Sequence, residues 1–402
     1  MLHPPSSRLD PFPVAALKLL SRSQLCSVLL AGALGLAAAF SAAQTPPASD
    51  TPAAPTVRDT PDQVEIPGAA DKPAPPDAAK RSAGDVDVAL VLPLDAAPYA
   101  RAADAVRAGF LAAAEAAGSR LKIRVFPHGN DEVLTAFEAA RASGATVIVG
   151  PLVRDDVRTV ASMSLELPMT LALNQLDDVT DAPPTFYSFA LGVESDGRTI
   201  ARRMRADNAQ NIAVISADTL LMNRLAVAFT AEWTQGGGAV PDMHGFVATP
   251  EALIALRREI VKKRPDAALL ALDGGSATQI KPYLGSTRAY ASGLMFERDS
   301  PATLRDLDGL IIVEIPWLVV PQAPQFANLP RKEFASVALT RLYALGLDAF
   351  RVAQALRDGT SERLSFEGAT GQITLGDGRS FQRDGLLAVF RAGQLVPLDG
   401  AR

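Results

Sequence analysis

Continuous apolar runs alternate with amphipathic stretches along the chain from Val86 onward. Residues 86–92 are apolar apart from Asp87 and end at Pro93, and apolar residues and alanines then recur at helical spacing over residues 99–117. This order predicts a buried strand followed by a helix. The same alternation continues over residues 121–126, 132–142, 145–149, 154–165 and 168–173, and a second series covers residues 211–215, 219–235, 240–247, 251–263, 267–272 and 310–313.

The two series predict the fold class. Short strands that are apolar on both faces, separated by amphipathic helices, are typical of a parallel sheet covered on both sides. We therefore expect an α/β protein with two doubly wound parallel-sheet lobes joined by crossover segments. The loops that follow the C-terminal ends of the strands would line a cleft between the lobes.

The same patterns predict the division of the chain into lobes. Helix-length stretches at residues 185–190 and 198–206 would mark the first crossing between lobes, and residues 386–390 and 394–396 predict a terminal hairpin around Ala392. We expect the first part of lobe 1 over residues 85–190, lobe 2 over residues 191–313, a return to lobe 1 over residues 314–370 and a C-terminal segment, assigned to lobe 2, over residues 371–402.

The N-terminus has the layout of a secretory signal. Lys18 and Arg22 precede an apolar run over residues 25–40, and small residues follow it. The run is shorter than the roughly 20 residues of a membrane-spanning helix. Residues 1–44 are therefore predicted to be a Sec-type signal peptide that exports the protein to the periplasm, with an uncleaved inner-membrane anchor as the alternative.

The only cysteine, Cys26, gives no sign of lipid attachment. It lies at the start of the apolar run, and no box of small residues precedes it, so we predict that the protein is not lipidated. Residues 45–84 are rich in Pro, Ala, Asp and Thr, and almost no large apolar residues occur there. Such a segment cannot bury enough surface to offset its ordering entropy, which predicts a disordered linker.

Several function classes find no support in the sequence. The net charge is -5 and no Lys/Arg cluster stands out, so we expect neither nucleic acid nor an anionic membrane surface as a partner. His128 and His244 lie in unrelated segments and no thiol follows residue 44, so no metal is expected. No Gly-x-Ser-x-Gly elbow or cofactor motif occurs, and we predict a protein without enzymatic activity or cofactor.

Seven short motifs carry a resemblance to a known family. The first three resemble type I periplasmic binding proteins, and the last four look like the LppC-type penicillin-binding protein activator family. In chain order the motifs are residues 88–94 (VALVLPL), 107–110 (RAGF), 149–152 (VGPL), 171–174 (LALN), 316–317 (PW), 341–350 (RLYALGLDAF) and 366–371 (FEGATG).

The resemblance implies both a fold and a role. It implies the periplasmic-binding-protein type I fold, and a regulator that binds a class A penicillin-binding protein, a peptidoglycan synthase, and stimulates it without chemistry of its own. The best-known members are outer-membrane lipoproteins with a helical-repeat domain before this module, whereas residues 1–84 offer neither a lipobox nor room for that domain. The alternative is a solute-binding protein of an ABC transporter for an amino acid or another small polar ligand.

The resemblance also points to cleft positions that could hold a small ligand. In amino-acid receptors of this fold, hydroxyls and backbone N–H groups after the early strands hold the ligand carboxylate. Here those loops contain Asp95, the Gly150-Pro151 pair, Arg154 and Asn174, and they lack hydroxyls. This favours the regulator over the receptor. Arg154 also fits a solvated helix start, and Asn174 also fits a cap on its own turn.

Three further features have structural interpretations that we favour. Asp273 opens a glycine pair between a strand and a helix, which suits an anion but is more typical of a tight left-handed turn with Ser276 as the helix N-cap. Trp317 could anchor a partner, although core packing at the lobe crossing is the better interpretation. Within the helix predicted over residues 341–356, Asp348 lies near the edge of an apolar stripe, where it could bond to neighbouring backbone.

Overall fold

A computed structural model describes residues 86–163, 166–176, 182–297 and 304–398. The predicted signal peptide over residues 1–44, the linker over residues 45–84 and Cys26 lie outside the described residues. Within the described chain, no helix has both the length and the apolar character needed to cross a membrane.

The described strands and helices follow the predicted alternation. The strands are β1 (Val88–Leu92), β2 (Ile123–Pro127), β3 (Val147–Val149), β4 (Met169–Ala172), β5 (Phe186–Phe189), β6 (Ile212–Ser216), β7 (Asp242–Gly245), β8 (Ala267–Ala271), β9 (Arg288–Ser292), β10 (Ile311–Glu314), β11 (Ser365–Glu367), β12 (Gln372–Leu375), β13 (Ser380–Asp384), β14 (Leu386–Arg391) and β15 (Gln394–Pro397). The helices are α1 (Ala100–Ala116), α2 (Val133–Ala142), α3 (Arg154–Ala161), α4 (Val193–Ala206), α5 (Leu220–Gln235), α6 (Pro250–Lys263), α7 (Gly274–Ile280), α8 (Pro316–Val319) and α9 (Val337–Arg357).

Two sheets organise these elements, as predicted. The first has the order β11-β12-β13-β5-β4-β3-β1-β2 and the second the order β15-β14-β10-β9-β8-β6-β7. The central strands of both sheets are parallel, and antiparallel strands extend one edge of each: β12 and β11 in the first, β14 and β15 in the second. The two-lobed α/β class is confirmed, and each sheet is mixed rather than purely parallel.

The C-terminal segment departs from the predicted division. Residues 371–402 were assigned to lobe 2, but β12 and β13 belong to the first sheet, where β13 pairs in parallel with β5. Ile373 and Phe381 are buried in the core of that sheet, which explains why these strands stay with it. The crossing comes between Asp384 and Leu386, and only the predicted hairpin, β14 and β15, joins the second sheet.

The first crossing between lobes also differs from the prediction. Residues 185–190, expected to be helical, contain the strand β5, whose aromatic side chains Phe186 and Phe189 are buried on both faces. The following helix begins at Val193 rather than near residue 198. Glu194 and Asp196 lie in its first turn, where negative charge is stabilised by the helix dipole.

Two glycines set the distance between α1 and α9, the long helices that pack together on the first sheet. A Cβ atom added to Gly109 would lie 2.0 Å from the carbonyl oxygen of Tyr343, and one added to Gly346 would lie 2.1 Å from that of Val106. Any side chain at either position would force the helices apart. Two of the family-like motifs, around Gly109 and Gly346, therefore meet at one helix-helix contact.

Candidate functional site

Asp95 lies in the loop after β1, next to the loop after β2. Its backbone N–H donates to the carbonyl oxygen of His128 at 3.1 Å, and its side chain is exposed. The loop borders a cavity of about 660 Å³ that is also lined by Arg101, Lys332 and Phe334. All the lining residues belong to the first lobe, so Asp95 faces a surface groove of one lobe.

The Gly150-Pro151 pair follows β3 and is buried. Gly150 has a φ of 114°, which only glycine adopts easily, and an added Cβ would lie 2.0 Å from the carbonyl oxygen of Val91. Its N–H donates to the carbonyl oxygen of Leu171, and Leu173 N–H donates to that of Pro151, both at 2.8 Å. These contacts join β1, β3 and the end of β4. A structural role is therefore sufficient to explain why glycine and proline occupy these two positions.

Asn174, which follows β4, uses its side chain on neighbouring backbone. Its amide Nδ2 donates to the carbonyl oxygen of Leu152 at 3.0 Å, and its Oδ1 accepts from the N–H of Gln175 at 2.9 Å. The side chain thus ties the loop after β4 to the loop after β3. A contact from Asn174 to a ligand stays a prediction, as does one from Arg154, the half-buried first residue of α3.

Asp273 in the second lobe is a helix cap. Its side chain accepts from the N–H of Ser276 at 3.0 Å and from the Ser276 hydroxyl at 2.8 Å, and these bonds lower the pKa of its carboxyl. The predicted left-handed turn with Ser276 as the N-cap is wrong. Asp273 itself is the N-cap with extended backbone, because its carboxylate reaches the free N–H groups of the first turn of α7.

Two buried ion pairs at the lobe crossings were not expected from the sequence. Arg383 of β13 pairs with Asp196 of α4 at 2.8 Å, and both side chains are only 1% exposed. Asp196 also accepts a hydrogen bond from the hydroxyl of Ser292 at the end of β9. Burial raises the pKa of the Asp196 carboxyl, while the neighbouring Arg383 charge opposes that rise.

The second pair joins α9 to the end of β10. Arg341 contacts Glu314 at 2.6 Å, and its guanidinium also donates to the carbonyl oxygens of Gly293 at 2.6 Å and Phe296 at 2.9 Å. The two pairs therefore connect both sheets near the places where the chain passes from one to the other. For the second pair, the sequence signal is a single charged residue inside an otherwise apolar segment, whereas Asp196 and Arg383 stand among other polar residues and give no such signal.

Asp348 and Trp317 have the structural roles that the sequence favoured. The Asp348 carboxylate accepts from the N–H groups of Ala369 and Thr370 at 2.8 and 2.7 Å and from the Thr370 hydroxyl at 2.7 Å, and burial raises its pKa to about 6. These bonds connect the motif on α9 to the motif at residues 366–371. Trp317 is 3% exposed and packs between Phe326 and Tyr343.

One pair of described residues with the spacing of a reactive motif lies away from the cleft. Ser119 and Lys122 have a Ser-x-x-Lys spacing, but they lie in the turn before β2, at the N-terminal end of that strand, whereas the cleft loops follow the C-terminal ends of the strands. The Ser119 hydroxyl accepts a hydrogen bond from the N–H of Leu121 at 3.2 Å. Among the residues that the structure describes, no group of three or more His, Cys, Asp or Glu side chains could hold a metal ion.

The family follows from comparison with known proteins. Residues 83–255 and 258–393 match the family described as "LppC putative lipoprotein". The chain belongs to this family. Two relatives named Penicillin-binding protein activator LpoA are 25% identical over 329 residues, from Pectobacterium parmentieri (70% of this chain, 48% of the relative), and 24% identical over 323 residues, from Escherichia coli K12 (69% and 47%).

This LppC-family chain thus spans about half the length of the curated relatives it matches. Two solved structures cover the same module. The LpoA (YraM) C-domain from Haemophilus influenzae, described as a regulator of PBP1A, has a TM-score of 0.67 at 19% identity and covers 78% of this chain and 99% of that one. A Chromobacterium violaceum protein, provisionally described as a branched-chain amino acid ABC transporter, has a TM-score of 0.66 at 30% identity with 76% and 99% covered.

Proposed function

We propose that this protein is a non-enzymatic regulator that binds a class A penicillin-binding protein and activates its peptidoglycan synthesis. The observation that carries the proposal is the match of nearly all described residues to the LppC family, whose curated relatives are named penicillin-binding protein activators. The H. influenzae domain with the same fold is described as a regulator of PBP1A. A class A synthase is the corresponding partner for this chain.

The chemistry of the cleft loops supports the regulator. A receptor for a small polar ligand needs several converging polar groups whose bonding capacity is free in the empty protein. Here the Asn174 amide and the Asp273 carboxylate already bond to the backbone of neighbouring residues, and Gly150 is required by a close backbone contact. The regulator therefore draws its binding energy from an outer surface rather than from the cleft.

A solute receptor of an ABC transporter is the second candidate. The observation that favours it is the 30% identity to the C. violaceum protein over 99% of that chain. A receptor would be stabilised by its ligand, and a ligand present at 100 times its dissociation constant adds about 2.7 kcal/mol to the free energy of unfolding. Thermal unfolding of the purified protein with amino acids, peptides and muropeptides tests this candidate directly.

Crosslinking in cells followed by affinity purification separates the two candidates. The regulator predicts that a class A penicillin-binding protein is enriched from envelope extracts, and that Arg154→Ala leaves its recovery unchanged. The receptor predicts enrichment of an ABC permease and a stabilising small molecule that loses affinity in Arg154→Ala or Asn174→Ala. Enrichment of the permease together with such a ligand would overturn the proposed function.

We also propose that the protein acts in the periplasm after export through residues 1–44, without lipid attachment at Cys26. The position of Cys26 before the apolar run supports this, although the family description includes lipoproteins. Metabolic labelling with a palmitate analogue should leave the protein unlabelled. Labelling that disappears in Cys26→Ser would contradict the proposed localisation.

A further inference from the structure

The exposed apolar side chains of the described residues are concentrated in the second lobe. Eleven large apolar side chains are exposed among the described residues of both lobes, and eight of them lie between residues 220 and 261. Two of these, Ile254 and Val261, lie on the outer side of α6 and are 46% and 62% exposed. The inner side of α6 already packs three apolar residues into the core, so the fold does not require aliphatic residues on its outer side.

These two side chains share one helix surface with three cations. Ile254, Arg257, Arg258 and Val261 stand at positions i, i+3, i+4 and i+7, which are neighbours on an α-helix, and Lys262 extends the same surface. All five residues are exposed. We call this set the α6 surface. Ile254 and Val261 are separated by about 10 Å along the helix axis, so one short partner segment can contact both.

The cations of the α6 surface form no ion pair with any residue that the structure describes. In the described ranges no carboxylate pairs with Arg257, Arg258 or Lys262, whereas the adjacent Lys263 pairs with Asp242 at 2.6 Å. Stabilisation of a helix by cations at its C-terminus falls off within the last turn, so it accounts for Lys262 and not for the two arginines.

The α6 surface also corrects an expectation from the sequence. No Lys/Arg cluster stands out in the sequence, but α6 places Arg257, Arg258 and Lys262 side by side on its outer face. The chain as a whole has a net charge of -5, so a basic surface is not a general property of the molecule. Local charge of this sign attracts a partner of opposite charge and speeds its association.

We propose that the α6 surface is the docking site for an acidic segment of the partner protein. Aliphatic side chains of that segment cover Ile254 and Val261, and its carboxylates pair with Arg257, Arg258 and Lys262. The inference rests on the proposed function, in which the partner is a class A penicillin-binding protein. A lipid surface fits less well, because the apolar part consists of two short β-branched side chains without the aromatic or long apolar residues of interfacial helices.

Binding of the purified full chain to a purified class A penicillin-binding protein of the same bacterium tests the inference. Ile254→Ser/Val261→Ser should weaken binding at least tenfold, because the apolar contact is lost. Arg257→Glu/Arg258→Glu/Lys262→Glu should weaken it at least as much, since like charges would then face each other. The wild-type dissociation constant should rise between 50 and 300 mM salt, and that rise should disappear in the triple variant.

Matched changes elsewhere serve as controls. Val227→Ser removes a 68% exposed side chain from α5, and Arg120→Glu/Arg305→Glu/Arg363→Glu makes the same change in net charge at other exposed sites. Both controls should bind within about twofold of wild type. All variants should retain the wild-type circular dichroism spectrum.

The outcomes separate the inference from the function on which it rests. If the wild type binds and the α6 variants bind equally well, the inference is wrong and the proposed function stands. If the wild type binds no class A penicillin-binding protein, the proposed function fails. Self-association or binding to vesicles of anionic phospholipid that is abolished by the triple variant, with synthase binding unchanged, would also overturn the inference.

Discussion

At the residue scale, Asp348 is a buried carboxyl whose pKa is raised by its surroundings. Burial raises its pKa to about 6, although three hydrogen bonds from residues 369–370 favour the charged form. Because the folded-state pKa lies above the ordinary value of 3.8, the folded protein retains this proton over a pH range in which the unfolded chain has lost it. The stabilisation from protonated Asp348 is therefore complete below about pH 4 and is lost as the pH rises through about 6.

Asp348→Asn tests this assignment. We expect the wild-type free energy of unfolding, minus that of the variant, to fall by up to about 3 kcal/mol between pH 4 and pH 7. Urea unfolding of both proteins at each pH measures the difference, and subtraction cancels the titration of the other carboxyl groups. A difference that stays constant, or that grows with pH, would contradict the raised pKa.

At the element scale, the contact between α1 and α9 explains why glycine occupies the middle of two helices. Glycine destabilises a helix interior by about 1 kcal/mol relative to alanine, so propensity alone predicts that Gly346→Ala stabilises the protein. The close approach to the Val106 carbonyl predicts the opposite.

Gly346→Ala should lower the free energy of unfolding by about 2 kcal/mol or more, because the added methyl group must displace backbone rather than a flexible side chain. Chemical denaturation gives this value. Ala112→Gly, at a half-buried position of α1, serves as the comparison and should cost about 1 kcal/mol through propensity alone. Stabilisation by Gly346→Ala would show that the helices can separate without cost.

The elements also show how far sequence reasoning extends. The α/β class, the two series and the terminal hairpin followed from periodicity, because central strands such as β1, β6 and β8 are apolar on both faces. The sheet membership of β12 and β13 did not follow, since pairing between residues far apart in sequence leaves no local pattern. For the cleft, periodicity gave the position of each loop, but the bonds of Asn174 and Asp273 depend on side-chain directions that spacing does not specify.

At the scale of the whole molecule, the two buried ion pairs connect the lobes through all three chain crossings. Asp196 and Arg383 lie beside the first and third crossings, and Glu314 and Arg341 lie beside the second. Removing one member of a buried pair leaves an uncompensated charge, which costs about 3–5 kcal/mol. These pairs hold the relative position of the lobes.

Arg383→Met should therefore destabilise the protein by about 3–5 kcal/mol, and Asp196→Asn in the same chain should restore part of that loss. Arg141→Met, which breaks the exposed Arg141–Glu138 pair, should change stability by less than about 1 kcal/mol. Thermal and urea unfolding measure all three. A loss in Arg383→Met no larger than that in Arg141→Met would show that the buried pair does not hold the lobes in position.

The proposed regulator acts on its partner as a whole molecule, and the rate of the partner synthase measures that action. Glycan polymerisation and transpeptidation by a purified class A penicillin-binding protein of the same bacterium should rise when the purified full chain is added. The cleft variants Arg154→Ala and Asn174→Ala should raise the rates to within a few-fold of wild type, provided that circular dichroism shows them folded. Synthase rates that do not change at any ratio of added protein would contradict the claim.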